Sequence, residues 1–82
     1  MKITFKLYAS LSGFLPPEAR DHQIVMEVAQ TTSPLQLLEQ RGVPAAKVHL
    51  VLVNGVFVPP HERHLPLKAG DHLAVWPAVA GG

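Results

Sequence analysis

Cysteine is absent from the 82-residue chain. This absence excludes disulfide bonds, thiolate metal sites and a cysteine nucleophile. No run of eighteen apolar residues occurs, so the sequence predicts no transmembrane helix and no membrane partner. The amino terminus has the alternation of a strand and lacks the pattern of a signal peptide, which leads us to expect a cytoplasmic protein.

Charge is also scarce. Charged residues make up 16% of the chain, and the formal net charge is +1. The positive residues are scattered and form no basic stripe, which argues against nucleic acid as a partner.

Catalytic and phosphate-binding motifs are missing as well. The sequence has no Gly-x-Ser-x-Gly turn and no glycine-rich phosphate loop with a lysine. His61 and His64 stand three apart in a proline-flanked loop, but zinc takes three or four ligands, so we expect no metal site there. The sequence assigns no role to these two histidines.

The length and the apolar content indicate one small domain over residues 1–82. Hydrophobic residues make up 48% of the chain, a high share for so few residues. We therefore expect part of the apolar surface to stay exposed on one sheet face, where a partner would cover it.

The first half of the chain predicts two strands. Residues 2–8 alternate, with Ile3, Phe5 and Leu7 toward one side, as in a half-buried strand. Residues 9–20 predict a short helical turn or loop that ends at Pro16-Pro17. Residues 22–28 form the second strand, whose inward residues would be Ile24, Met26 and Val28.

A single helix of about nine residues follows. Ser33 is a good N-cap, Pro34 suits the first helical position, and Gln36 completes a capping box. Leu35 and Leu38 are expected to share a face, and Gly42 with Pro44 ends the helix.

The second half of the chain predicts three more strands. Residues 48–53 are nearly continuously apolar, which is typical of a strand buried on both faces. Asn54-Gly55 predicts a tight turn into a short strand at 56–58. Residues 61–71 would form a loop anchored by Leu65 and Leu67, and residues 72–76 the last strand, with Trp76 opposite Leu73 and Val75.

These elements specify an α+β fold, a mixed sheet of about five strands with one main helix across it. The first and last strands are expected to lie side by side in the centre of the sheet. That arrangement is the β-grasp, or ubiquitin-like, architecture.

The chain ends in Gly81-Gly82. Glycine has no Cβ, so a diglycine arm keeps wide backbone freedom and can pass through a gap that a side chain would block. The alternative is an ordinary frayed terminus.

Four segments together carry a family resemblance. They are Phe5-Lys6-Leu7-Tyr8-Ala9-Ser10-Leu11, Leu52-Val53-Asn54-Gly55, Leu67-Lys68-Ala69-Gly70-Asp71 and Trp76-Pro77-Ala78-Val79-Ala80-Gly81-Gly82. On them the chain resembles the small sulfur-carrier proteins of the ubiquitin-like superfamily, specifically the small subunit of molybdopterin synthase. The Asn54-Gly55 turn followed by Val56, Phe57, Val58 and Pro59 also looks like the sulfur carriers of the thiamin pathway.

The resemblance implies a protein co-substrate that is no enzyme alone and binds no cofactor itself. A ubiquitin-activating-type adenylyltransferase, using ATP and magnesium, would adenylate the Gly82 carboxylate. A persulfide donor would then replace AMP and leave a thiocarboxylate. The large catalytic subunit of molybdopterin synthase would receive the sulfur, and Gly81 would keep the mobile tail flexible.

Partner-binding residues are expected near the tail. Phe57 and Trp76 are the aromatic candidates for a hydrophobic docking face, and Pro77, Val79 and Ala80 are also expected to bind the partner. A core position for Phe57 is an equal alternative, whereas an outer position is favoured for Trp76. Two other functions stay open, a ubiquitin-like protein modifier and a plain interaction module.

Overall fold

The computed structural model describes residues 1–78, and residues 79–82 lie outside the described part. The predictions for Val79, Ala80, Gly81 and Gly82 therefore stay predictions. The described chain contains strands β1 to β5 and one helix, α1. Their bounds are β1 Lys2–Leu7, β2 Gln23–Glu27, α1 Pro34–Gln40, β3 Val48–Val53, β4 Val56–Phe57 and β5 His72–Pro77, with short 3₁₀ turns at Ala9–Phe14, Ala45–Lys47 and Pro60–Glu62.

The five strands form one sheet in the order β2-β1-β5-β3-β4. β1 and β5 run parallel, whereas β2 is antiparallel to β1 and β3 is antiparallel to both β4 and β5. The expected mixed sheet with its first and last strands adjacent is thus confirmed. β5 is the middle strand, and its end at Pro77 leads toward the carboxyl terminus.

The start of α1 follows the predicted capping box. The Gln36 amide donates to the Ser33 hydroxyl oxygen at 3.1 Å, and the Ser33 amide donates to the Gln36 side chain at 3.1 Å. Pro34 occupies the first turn, where its missing N–H leaves no hydrogen bond unmade. These contacts stabilise a helix that is too short to be stable by itself.

The helix has seven residues rather than nine, because Gly42 adopts a positive φ of 76° and turns the chain away. Leu37 and Leu38 are the buried leucines of α1, and Leu35 is 48% exposed. Leu35 and Leu38 share a helix face as expected, since both line one groove. Leu38 is buried at its base, and Leu35 lies at its exposed rim.

The hydrophobic core lies between α1 and one face of the sheet. The predicted inward residues of β1 are all in it, and Ile24, Met26 and Val28 pack against it partly buried. The fully or nearly fully buried members are Ile3, Phe5, Leu7, Leu11, Leu37, Leu38, Val43, Val51, Leu67, Leu73 and Val75.

The expectation that β3 is buried on both faces is wrong. Val51 is fully buried, but Leu50 and Leu52 are half-buried and His49 is exposed. The single helix covers one sheet face only, and within residues 1–78 no element covers the other. The apolar residues of β3 therefore contribute both to the hydrophobic core and to the uncovered face of the sheet.

The long loop before β5 is anchored differently from the prediction. Leu67 is buried as expected, and its amide donates to the Thr32 carbonyl oxygen at 2.8 Å. Leu65 is 49% exposed, so its predicted anchoring role is wrong. The buried side chain of Arg63 holds the loop instead, through bonds to the carbonyl oxygens of Val58 and His49.

The Asn54-Gly55 turn between β3 and β4 is confirmed. Both residues have positive φ, 52° and 80°, as such a tight turn requires. The Asn54 side chain donates to Asp71 at 2.9 Å and accepts from the His72 amide at 2.8 Å. The turn is thereby tied to the start of β5.

Candidate functional site

One sheet face, opposite α1, presents an apolar surface around β5 and β3. The strand register defines it, because Leu52 pairs with both Phe57 and Ala74, and Leu50 pairs with Trp76. Cross-strand partners point to the same side of a sheet. We call this surface the open face and define it by Leu50, Leu52, Phe57, Ala74 and Trp76.

The two predicted aromatic docking residues both belong to the open face. Phe57 is 53% exposed, so it does not occupy a core position. Trp76 is half-buried and lies opposite Leu73 and Val75, which are fully buried, as the alternation predicted. Their positions suit docking, while their partner-binding role stays a prediction.

Trp76 is held in place by an aromatic stack that the sequence did not indicate. Its ring lies parallel to that of Tyr8, with centroids 4.5 Å apart and an interplanar angle of 10°. His22 stacks on Tyr8 at 5.7 Å. The alternation of residues 2–8 placed Tyr8 on the outward side of β1 but did not indicate the stack. Nothing in the sequence singled out His22.

Backbone geometry brings these rings together. The Tyr8 amide donates to the Val75 carbonyl oxygen at 3.1 Å, which places Tyr8 beside the end of β5. Asp21 and His22 both have positive φ, 54° and 65°, a conformation that non-glycine residues seldom adopt. The bend that they form carries His22 back over the end of β1.

The chain leaves the sheet beside the open face. β5 ends at Pro77, which pairs with Val48 at the start of β3, and Ala78 is exposed. The strand that carries Trp76 therefore leads directly into residues 79–82. The predicted reactive end is thus attached to the edge of the open face by a few residues.

Polar residues border the open face. Lys6 and Thr4 of β1 lie on the same side, since they pair with Ala74 and His72 of β5. An apolar centre with a polar rim is the usual composition of a protein-docking surface.

Both loop histidines, His61 and His64, are exposed. The His61 side chain is 80% exposed, and its Nε2 lies 3.6 Å from the Glu62 carboxylate. Among residues 1–78, no three side chains of His, Asp or Glu are grouped as metal ligands would be.

Nor does this part of the chain hold a helix long and apolar enough to span a membrane.

The fold is shared with several solved structures. SAMP1 from Haloferax volcanii is 22% identical with a TM-score of 0.69, and each chain is covered completely. The HVO 2177 protein of the same organism is 22% identical with a TM-score of 0.73, over 100% of this chain and 87% of that one. These likenesses confirm the β-grasp architecture.

A third likeness is to a chain in the Helicobacter pylori complex of subunits 1 and 2 of molybdopterin-converting factor. It is 15% identical with a TM-score of 0.61, and both chains are covered completely. No curated protein matches this sequence.

Comparison with protein families gives a match over almost the whole chain. Residues 1–81 fit the family described as Mut7-C ubiquitin, a description that names no pathway. The predicted resemblance to small ubiquitin-like proteins is confirmed, and the chain belongs to the Mut7-C ubiquitin family.

Proposed function

We propose that this protein is a sulfur carrier whose Gly82 carboxylate is converted to a thiocarboxylate for molybdopterin biosynthesis. The observation that carries the proposal is the open face beside the strand that leads into the diglycine tail. A partner that covers Phe57 and Trp76 would receive the tail at its own active site. Pro77, Val79 and Ala80 would then lie along the entrance.

The partner that receives the sulfur would be a larger catalytic subunit, with this chain as a co-substrate that has no activity alone. The likeness to a chain in a two-subunit molybdopterin-converting factor supports this arrangement. The exposed aromatic ring of Phe57 supports it too, because aromatic side chains contribute much of the binding energy at interfaces.

The activating partner would be an adenylyltransferase of the ubiquitin-activating type that uses ATP and magnesium. The Gly82 carboxylate oxygen attacks the α-phosphorus of ATP, and pyrophosphate leaves. The terminal sulfur of a protein persulfide then attacks the acyl carbon, and AMP leaves. A thiol reduces the resulting acyl disulfide, which frees the thiocarboxylate.

The absence of cysteine makes a direct test possible. Protein purified from its own host is treated with a thiol-selective alkylating reagent, and its intact mass and fragment masses are recorded. We expect one adduct, mapped to Gly82. A variant that lacks Gly82 serves as the control and should remain unmodified.

Failure of the adduct to form, even after incubation with ATP, the activating enzyme and a sulfur source, would contradict the proposal. The pathway is tested separately by deleting the gene. Loss of molybdopterin-dependent enzyme activity is expected, without a thiamin requirement. A thiamin requirement alone would assign the carrier to thiamin synthesis.

A protein modifier is the second candidate, favoured by the ubiquitin description of the matched family. The same tail would then form an isopeptide bond with a lysine of another protein. High-mass conjugates on an immunoblot of the native host would support it, and their dependence on Gly82 is the control.

A further inference from the structure

A second surface lies on the helix side of the molecule, away from the open face. It is an apolar groove of about 380 Å³ between α1 and the start of β3. Leu35 and Leu38 of α1 line one side, and the other apolar lining residues are Val43, Ala45, Val48 and Pro60. Arg63 is the cationic residue that lines it.

Arg63 is buried without a carboxylate. The residue is 9% exposed, and no carboxylate within residues 1–78 lies within 4.0 Å of its guanidinium. Its Nε donates to the Val58 carbonyl oxygen at 3.0 Å and one Nη donates to the His49 carbonyl oxygen at 3.2 Å. The other Nη donates to no atom of the described chain.

Within the described residues no buried side-chain nitrogen lacks a hydrogen-bond partner, so the free Nη of Arg63 is open to solvent and can donate to a ligand. Burial lowers the pKa of the Arg63 guanidinium from its ordinary value, because loss of water disfavours the charged form. Carbonyl dipoles orient the planar group and leave its remaining N–H groups for an acceptor. Arginine presents such donors in a rigid fork that matches a carboxylate.

We propose that the groove binds a segment of a partner protein that carries a branched apolar side chain next to one carboxylate. The side chain would fill the space between Leu35, Leu38 and Val43. The carboxylate would pair with the free Nη of Arg63. Charge complementarity and the apolar walls together define this occupant.

Exposure of the walls favours a protein segment over a small molecule. Leu35 is 48% exposed and Pro60 is exposed, whereas a small-molecule pocket encloses most of its ligand. A protein segment would cover these rim residues with its own backbone. Glu39 also lines the groove, so a second negative charge on the segment would be repelled.

Because the sheet lies between the groove and the open face, both surfaces can be occupied at once. A protein bound at the groove would contact the domain on its helix side. The open face and the tail would remain accessible to other proteins. This inference does not depend on the sulfur-carrier proposal.

The test uses two peptides that differ in one charge, acetyl-Gly-Leu-Asp-Gly-amide and its Asn counterpart. Each is titrated into ¹⁵N-labelled protein at low salt, and amide chemical shifts are followed by NMR. We expect shifts at Leu35, Val43 and Val48 with the Asp peptide. Its affinity should exceed that of the Asn peptide by about tenfold or more, the effect of one charge-assisted hydrogen bond.

Matched variants separate binding from folding. Leu35→Ser should abolish the shifts, whereas Leu65→Ser, which removes an equally exposed leucine outside the groove, should leave them unchanged. Arg63→Lys keeps the positive charge but loses the forked N–H donors of the guanidinium. It should remove the preference for the Asp peptide over the Asn peptide. Unaltered signals from the open face show that each variant is folded.

Three results would overturn the proposal. One is equal affinity for the two peptides, and another is a set of shifts confined to the open face. The third is the absence of shifts with either peptide up to its solubility limit.

Discussion

Trp76 contributes to the open face more than to the hydrophobic core. Its ring stacks on Tyr8 at 4.5 Å and stays half-buried, while its strand neighbours Leu73 and Val75 are fully buried on the other side. The same strand therefore offers two substitutions with opposite expected effects.

We predict that Trp76→Ala weakens partner binding more than it lowers the free energy of unfolding. The loss of one aromatic stack costs about 1 kcal/mol of stability, whereas an aromatic hot spot contributes about 2 kcal/mol or more to binding. Urea denaturation and calorimetric titration with the large subunit measure the two. Leu73→Ala is the control, since it should cost about 2–5 kcal/mol of stability.

A loss of stability on Trp76→Ala that exceeds the loss of binding would contradict this assignment. Trp76 would then be a structural residue that happens to lie on the open face.

The tail supports a second residue-scale prediction. Gly81→Val adds a branched side chain to the segment that, under the proposed function, would enter a narrow channel next to bound nucleotide. We expect adenylation to slow by about 10²-fold, the effect of misplacing reacting atoms, with no change in thermal unfolding. Pyrophosphate release in the presence of the activating enzyme is the measurement.

An unchanged rate for Gly81→Val would argue against a confined path for the tail and in favour of the plain interaction module. Val56→Ala, at an exposed position away from the tail exit, is a suitable control for general effects on the protein.

At the scale of elements, α1 depends on its cap. The seven-residue helix is too short to form alone, and Ser33 is 2% exposed with both capping-box hydrogen bonds present. We predict that Ser33→Ala lowers the free energy of unfolding by about 1 kcal/mol. Urea denaturation measures this, and Thr31→Ala, at an exposed neighbouring position, should have little effect.

A neutral Ser33→Ala would mean that Pro34 and the packing of Leu37 define the start of the helix without the cap. The reciprocal substitution Gln36→Ala, which removes the other half of the box, would then also be neutral.

The elements differ in how far the sequence determined them. The capping box, the Asn54-Gly55 turn and the alternation of β1 were predicted correctly, because each depends on residues close together in the chain. Leu65 and β3 were misplaced. Their burial depends on what lies opposite them, and local pattern does not contain that information.

At the scale of the whole molecule, the sheet separates two surfaces. The open face lies on one side and α1 with its groove on the other. We predict that binding of the large subunit invoked in the proposed function slows hydrogen exchange in β4 and around Tyr8, and leaves α1 unchanged. Hydrogen-exchange mass spectrometry of the free and bound protein measures this.

Slower exchange confined to α1 and the groove would instead place the large subunit on the helix side. Hydrogen-exchange mass spectra of the Trp76→Ala variant, recorded with and without a saturating concentration of the large subunit, would show whether the open face still contacts that subunit.

The sequence by itself determined the fold class, the cap, the turns and the diglycine end, and it carried the family resemblance. These follow from local backbone preferences and from the periodicity of apolar residues. Only the tertiary structure decided that Phe57 is exposed, that Tyr8 and His22 stack beside Trp76, and that Arg63 is buried in a groove. Those features arise where residues distant in sequence come into contact in the folded chain. The burial of each side chain depends on those contacts, which local sequence does not specify.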